Sequence, residues 1–399
     1  MSLAIGDQAV SSLTNVVAVL VVARRLDAES FGSFSLAYVA LTLFLGVGRA
    51  FFGLPLSLSA RAGTAETRQV LEKALGALLV AALPIAGIVY LIGAVLSNSW
   101  HGSQSIAVIA VAVATPIILI QDVVRYFALA VGRAGVALAA DALWLLGVTL
   151  LFFVPQLGLG PLFAGWIAAV LASVAIFALV FRPRPRWRSA LSTLRPERGL
   201  RTSVSGTVLL SNITSLSVNG LASSRYGLEL VGGLRGSSTL FGPVNTLITF
   251  LDFAVLPRLV RRSRASARRL LLTTFAASLL ATVAWILILL ILPTSWGTWL
   301  LGDTWQIARS IFHVTAIEYV LLVSAAVLSL ILKTRDEGRL LLLSKIISSL
   351  AIVVGVVVAI SISHTVIAVP VAIAVGAGIS LCSLAVSVWL STPGRSRHA

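Results

Sequence analysis

The sequence predicts an all-α polytopic membrane protein, about twelve transmembrane helices in two six-helix bundles, and three observations carry that prediction. The chain is 58% hydrophobic and 11% charged, with mean hydropathy +1.02, whereas a soluble domain carries about 25% charged residues. Its apolar runs are continuous and near twenty residues long, the length a helix needs to cross a hydrocarbon core of roughly 30 Å. Lys and Arg concentrate in every second connection, the asymmetry that sets membrane orientation. Barrel strands would alternate apolar and polar residues over about ten positions. These runs do not alternate, and lipid permits only helices or closed barrels.

The first hairpin, Asp7 to Ser59, organises the rest. Two apolar segments are joined by a short polar turn. Asn15 sits inside the first segment, Arg24 and Arg25 close it, Phe31-Gly32 opens the second, and Arg49 lies within the second. An Arg at hydrocarbon depth costs about 2.5–3.5 kcal/mol even on lenient scales, so its default reading is a buried site or pathway. The spans expected in order are 8–25, 33–54, 74–96, 105–131, 136–154, 160–181, 203–222, 229–256, 270–292, 307–332, 340–361 and 366–390.

With the N-terminus inside, 22 Lys and Arg fall in the inner loops and the C-terminal tail, against only Arg24, Arg25 and Arg225 in the outer loops. Both termini are therefore expected in the cytoplasm. The longest outer connection, Pro293 to Gln306, is too short to house a catalytic domain. The longest inner one begins RPRPRW at Arg182, where Pro favours extended structure. The piece from Trp187 to Leu194 reads as a segment on the membrane surface or as a plain basic linker between halves.

Several function classes drop out. The net charge of +16 belongs to membrane topology, so nucleic acid is not an expected partner. Cys382 is the only cysteine, which rules out an internal disulfide. The N-terminal apolar run lacks a basic leader and reads as a spanning helix rather than a cleaved signal. No G-x-x-x-x-G-K-[ST] phosphate loop, Cys/His cluster or loop-borne catalytic set is present. No cofactor and no bond-making activity are expected.

The halves, 1–190 and 191–399, echo one another. VGRAGVALAADAL at 131–143 finds KTRDEGRLLLLSKI at 333–346, and Asn15, Phe31-Gly32 and Pro55 find Asn212, Val231-Gly232 and Pro257. Six helices per half is even, so both halves keep one orientation. That implies a pseudo-two-fold along the membrane normal, with a cavity near the midplane.

The Asp7–Ser59 pattern, the Gly132-Arg133 turn after the fourth span and the Arg235…Pro243…Pro257 run in the eighth resemble the Wzx-type O-antigen and polysaccharide flippases. These belong to the multidrug/oligosaccharidyl-lipid/polysaccharide exporter superfamily. The resemblance covers most of the chain and is strongest over residues 7–60. It implies translocation of a polyprenyl-diphosphate-linked oligosaccharide across the cytoplasmic membrane by alternating access. It also implies membrane lipids, and a glycan polymerase or glycosyltransferases, as partners. By this resemblance Arg49 and Arg235 correspond to cavity arginines of the related lipid II flippase branch.

Such a cargo needs fixed cations, and the planar donors of Arg suit phosphate. Arg49, Arg235 and Arg24, with Asn15 and Asn212, are the candidate substrate contacts. The plainer alternatives are an Arg49–Asp7 pair, an Arg235–Glu318 pair, snorkelling of Arg24 to the interface, and interhelical hydrogen bonds from the two Asn. Asp252 and Glu318 are candidate proton carriers for coupling. Asp122 stands three residues before Arg125 on one helix face, and with Asp141 it reads as a local ion-pair cluster or a transport site. His313 and Lys345 complete the ionisable set within spans. Pro116, Pro243 and Pro257 are expected to kink their helices. The rival readings are a cation-coupled multidrug or small-solute exporter, which would line its cavity with acids, and a membrane glycosyltransferase or ligase, for which the outer loops are too short.

Overall fold

A computed structural model describes residues 2–60, 63–98, 102–154, 157–187, 200–251, 255–260, 264–335 and 337–391. All regular structure among them is helical. The chain divides into two compact units, Met1–Leu216 and Ser217–Ala399. The boundary expected at 190/191 lies outside the described residues, and a continuous helix, Leu200–Tyr226, carries the chain from one unit into the other.

The first unit runs through α1 (Ser2–Ala23), α2 (Ala28–Gly48), a π-helical turn (Arg49–Gly53) and α3 (Leu54–Ser59). It continues with α4 (Thr64–Ser97), α5 (Gly102–Ala130), α6 (Ala134–Phe153) and α7 (Leu159–Phe181). Asp27 caps α2, its Oδ1 accepting the Ser30 N–H at 2.9 Å. From there α2 is the unit's most buried rod. Phe34 is fully covered and packs on Phe163 and Trp166 of α7. The other end of α5 is closed by Gly132, whose φ of 77° Gly adopts at no steric cost. The Arg133 N–H reaches Ala128 O at 2.8 Å and the Gly132 N–H reaches Leu129 O at 3.1 Å, a Schellman closure.

The second unit follows α8 (Leu200–Tyr226) with α9 (Leu228–Leu240), α10 (Gly242–Phe250), α11 (Leu256–Val260) and α12 (Arg264–Leu290). Then come α13 (Thr294–Leu301), α14 (Thr304–Thr334), α15 (Gly338–Ile362) and α16 (Ala368–Leu390). The internal echo is visible in the packing. In the first unit α5 packs against α2, α4 and α7, with α6 on α7. In the second, α14 packs against α9, α12 and α16, with α15 on α16. The 6→1 closing bond recurs too, from the Glu337 N–H to Leu332 O at 3.0 Å.

Ten helical stretches among the described residues are long and apolar enough to cross a membrane. The two expected spans that fall short are the seventh and eighth. Helix α8 carries ten Ser or Thr and two Asn in 27 residues, which dilutes its apolar character. The eighth is divided between α9, α10 and α11. Pro243 stands in the first turn of α10, where a missing N–H leaves nothing unpaired, so it begins a helix rather than kinking one, whereas Pro257 follows the π-helical Val255 and residues 252–254 before it lie outside those described. Pro116 lies inside a continuous helix, α5, as Pro84 does in α4. The third span also starts earlier than expected, at Thr64 rather than 74, because its polar first turns are held by contacts with the segment leaving α7.

Candidate functional site

The polar residues of the first unit converge near one end of its helices. Arg125 on α5 is almost fully buried, and its Nη1 meets Asp141 Oδ2 of α6 at 3.2 Å and Asp7 Oδ2 of α1 at 3.7 Å. Its Nε stands 3.9 Å from Asp122 Oδ1, one turn back on the same face. Gln121 completes the coordination of Asp141, its Nε2 donating at 2.6 Å to Oδ1. Asp7 is fully buried, yet neither of its oxygens accepts a hydrogen bond among the described residues. Charged groups this deep persist only when paired, and Arg125 is the hub that pairs them.

Arg49 extends this network outward. Its Nε and Nη2 donate to Asp122 Oδ2 and Oδ1 at 2.9 and 3.0 Å, a two-pronged clasp across 73 residues of sequence. The partner of Arg49 is therefore Asp122 and not Asp7. Asp122 is covered, but 43% of the Arg49 side-chain surface stays open. Arg49 is also the first residue of the π-helical turn. Such single-turn insertions rotate the residues that follow and recur at functional sites. Three carboxylates thus share two guanidinium groups, one sealed in and one presented at the surface.

The remaining candidates lie elsewhere. Asn15 on α1 accepts a hydrogen bond from the Tyr38 hydroxyl of α2 at 3.3 Å and donates to Ser11 O, so it ties two helices together. Arg24 sits at the other end of α1, about 26 Å along the helix from Asp7, with its guanidinium 4.8 Å from the Phe152 ring. It is remote from the Arg125 network. Its neighbour Arg25 donates to the Val154 carbonyl. Asn212 is half-buried on α8.

In the second unit Arg235 is half-buried on α9, and its carbonyl accepts from Ser238 and Thr239 at 2.9 and 2.7 Å. Glu318 is half-buried in the middle of α14, and no ion pair joins it to Arg235 among the described residues. Beside it, Tyr319 stacks on Phe241 at 4.3 Å and accepts from Asn245 Nδ2 at 3.0 Å. Trp285 of α12 donates to the Leu240 carbonyl that the helix break frees, at 2.9 Å. Asp252 lies outside the described residues. Lys345 is half-buried on α15 and His313 is exposed on α14. Among the described residues no group of His, Cys, Asp or Glu is disposed to hold a metal ion.

Sequence reasoning missed Gln121 and Tyr38. The signal was present for Gln121, which adjoins Asp122 inside an otherwise apolar run. It was absent for Tyr38, whose role depends on which face of α2 meets α1.

The fold is that of a multi-pass helical membrane protein, and it is similar to solved structures of transporters of the MOP superfamily. An inward-facing MATE-family multidrug resistance transporter of that superfamily superposes with a TM-score of 0.68 at 15% identity, over 96% of this chain and 93% of the other. The lipid II flippase MurJ, in an inward closed conformation, gives 0.69 at 14% identity over 95% and 86%. A MOP superfamily transporter from Pyrococcus furiosus, described as having a binding pocket of reverse polarity, gives 0.59 at 16% over 98% and 93%. These three are described as transporters or a flippase. No protein-family model and no curated protein matches the sequence.

Proposed function

We propose that the protein is a flippase moving a polyprenyl-diphosphate-linked oligosaccharide across the cytoplasmic membrane, with both termini in the cytoplasm. The observation that carries this reading is the state of Arg49. It is a guanidinium within a membrane helix, fixed by a two-pronged carboxylate clasp and still open over much of its surface. Lipid offers no reason to present such a group, whereas a diphosphate does, since Arg binds phosphate and carboxylate with the same planar donors. Arg235 and Arg24 are proposed as further contacts along the route, with Asn15 and Asn212 meeting sugar hydroxyls. The similarity to a lipid II flippase supports the cargo class. Glycan polymerase or glycosyltransferase partners fit the same role.

The test is reconstitution with a defined polyprenyl-diphosphate glycan in vesicles. Arg49→Ala should abolish arrival of the glycan in the opposite leaflet while the protein remains inserted. Translocation at the wild-type rate would end the assignment.

One observation favours a second reading, a cation-coupled exporter. Asp7, Asp122 and Asp141 outnumber Arg49 and Arg125, and among the described residues Asp7 has no hydrogen-bond donor. A carboxylate so placed can exchange a proton during the cycle, as is also proposed for Glu318, Asp252, Asp122 and Asp141. Asp7→Asn should uncouple transport from an imposed pH gradient. Under the exporter reading it should stop efflux of a cationic dye, and under the flippase reading dye efflux is absent in the wild type as well.

A further inference from the structure

The chain leaves α7 at Arg182 and runs back across α4 as R-P-R-P-R-W. Pro183 cannot continue the helix, and Pro185 keeps Arg184 extended. The segment is pinned at several points. Arg68 Nη2 donates to Arg182 O at 3.0 Å. The Arg186 N–H donates to Glu72 O at 2.9 Å, and its Nε to Glu72 Oε2 at 3.1 Å. Arg68 Nε takes the other carboxylate oxygen at 3.2 Å. Gly76 makes the close approach possible, since a Cβ there would stand 2.4 Å from Arg186 O.

Helix lengths give its depth. Helix α7, 23 residues, is about 35 Å long and ends at Phe181. In α4 the stretch from Lys73 to Ser97 alone covers about 37 Å. Each exceeds the roughly 30 Å hydrocarbon core, so the strap lies at headgroup level beyond both. One covered carboxylate, Glu72, faces Arg68 and Arg186, while Arg182 and Arg184 are exposed. Trp187, at the end of the strap, is 58% exposed. An ordered cluster of guanidinium groups beside an open indole is the pairing that suits an anionic interface.

We propose that this strap is a binding site for anionic phospholipid, the guanidinium groups taking the phosphodiester and Trp187 entering the interface beside it. The proposal needs no part of the transport reading.

The experiment uses the full chain in nanodiscs of mixed phosphatidylglycerol and phosphatidylcholine, with lipid retained after mild detergent extraction counted by native mass spectrometry. The double variant R182Q/R184Q should lose phosphatidylglycerol preference by about fivefold per arginine. R25Q, at the opposite end of the unit, should leave it unchanged. G76V keeps every charge but displaces the strap, and its preference should fall as well. Wild-type preference in either R182Q/R184Q or G76V overturns the site. So does full displacement of the lipid by inorganic phosphate, which would make the strap a free-anion site.

Discussion

The two units share a wiring plan and differ in what fills its centre. In the first, α5 brings Arg125 among three carboxylates, and Arg49 clasps one of them from a π-helical turn. In the second, α14 occupies the matching place but offers Tyr319 to Phe241 and Asn245, with Glu318 beside it. The first centre is ionic and cross-tied over three helices. The second is aromatic and hydrogen-bonded, around a helix broken at Phe241. The same backbone arrangement therefore tolerates two chemistries, because helix packing is set by side-chain volume and ridge spacing, while charge enters only where partners arrive together.

The largest expected effect separates these centres. Arg125→Ala leaves three carboxylates around an empty place, and breaking a buried pair costs about 3–5 kcal/mol. Thermal unfolding of the purified protein in detergent should show the loss, and a small shift would mean that the network is not what fastens α1, α5 and α6.

Next comes the turn that closes α5. Gly132→Ala forces a Cβ into the left-handed region at about 1–2 kcal/mol, read by the same unfolding measurement. Tyr319→Phe in the second unit should cost about 1 kcal/mol, the worth of one neutral hydrogen bond. A cost as large as that of Arg125→Ala would erase the contrast between the centres.

Arg49→Ala strips the covered Asp122 of both its clasping bonds but leaves Arg125 3.9 Å away, so its stability cost should stay below that of Arg125→Ala even as translocation stops. A large stability loss would turn Arg49 into a structural tie and remove the basis for the proposed cargo.

Part of the site was legible locally. Asp122 and Arg125 stand three apart on one helix, so their cluster needed no tertiary information. The Arg49–Asp122 clasp was not legible, because several carboxylates lie at similar depth along their helices and only packing selects one. The Arg235–Glu318 pair likewise does not form among the described residues. Asp7 looked like a partner for Arg49 and instead faces Arg125.

The sequence by itself determined that this chain is a helical membrane protein in two similar halves, because lipid leaves a long apolar run few alternatives and loop charges record its crossings. The tertiary structure alone decided which charges meet, where α2 takes its π-helical turn, and that RPRPRW is strapped to Glu72. Those outcomes depend on the rotation and depth of each helix against its neighbours, which hydropathy along a single chain does not encode.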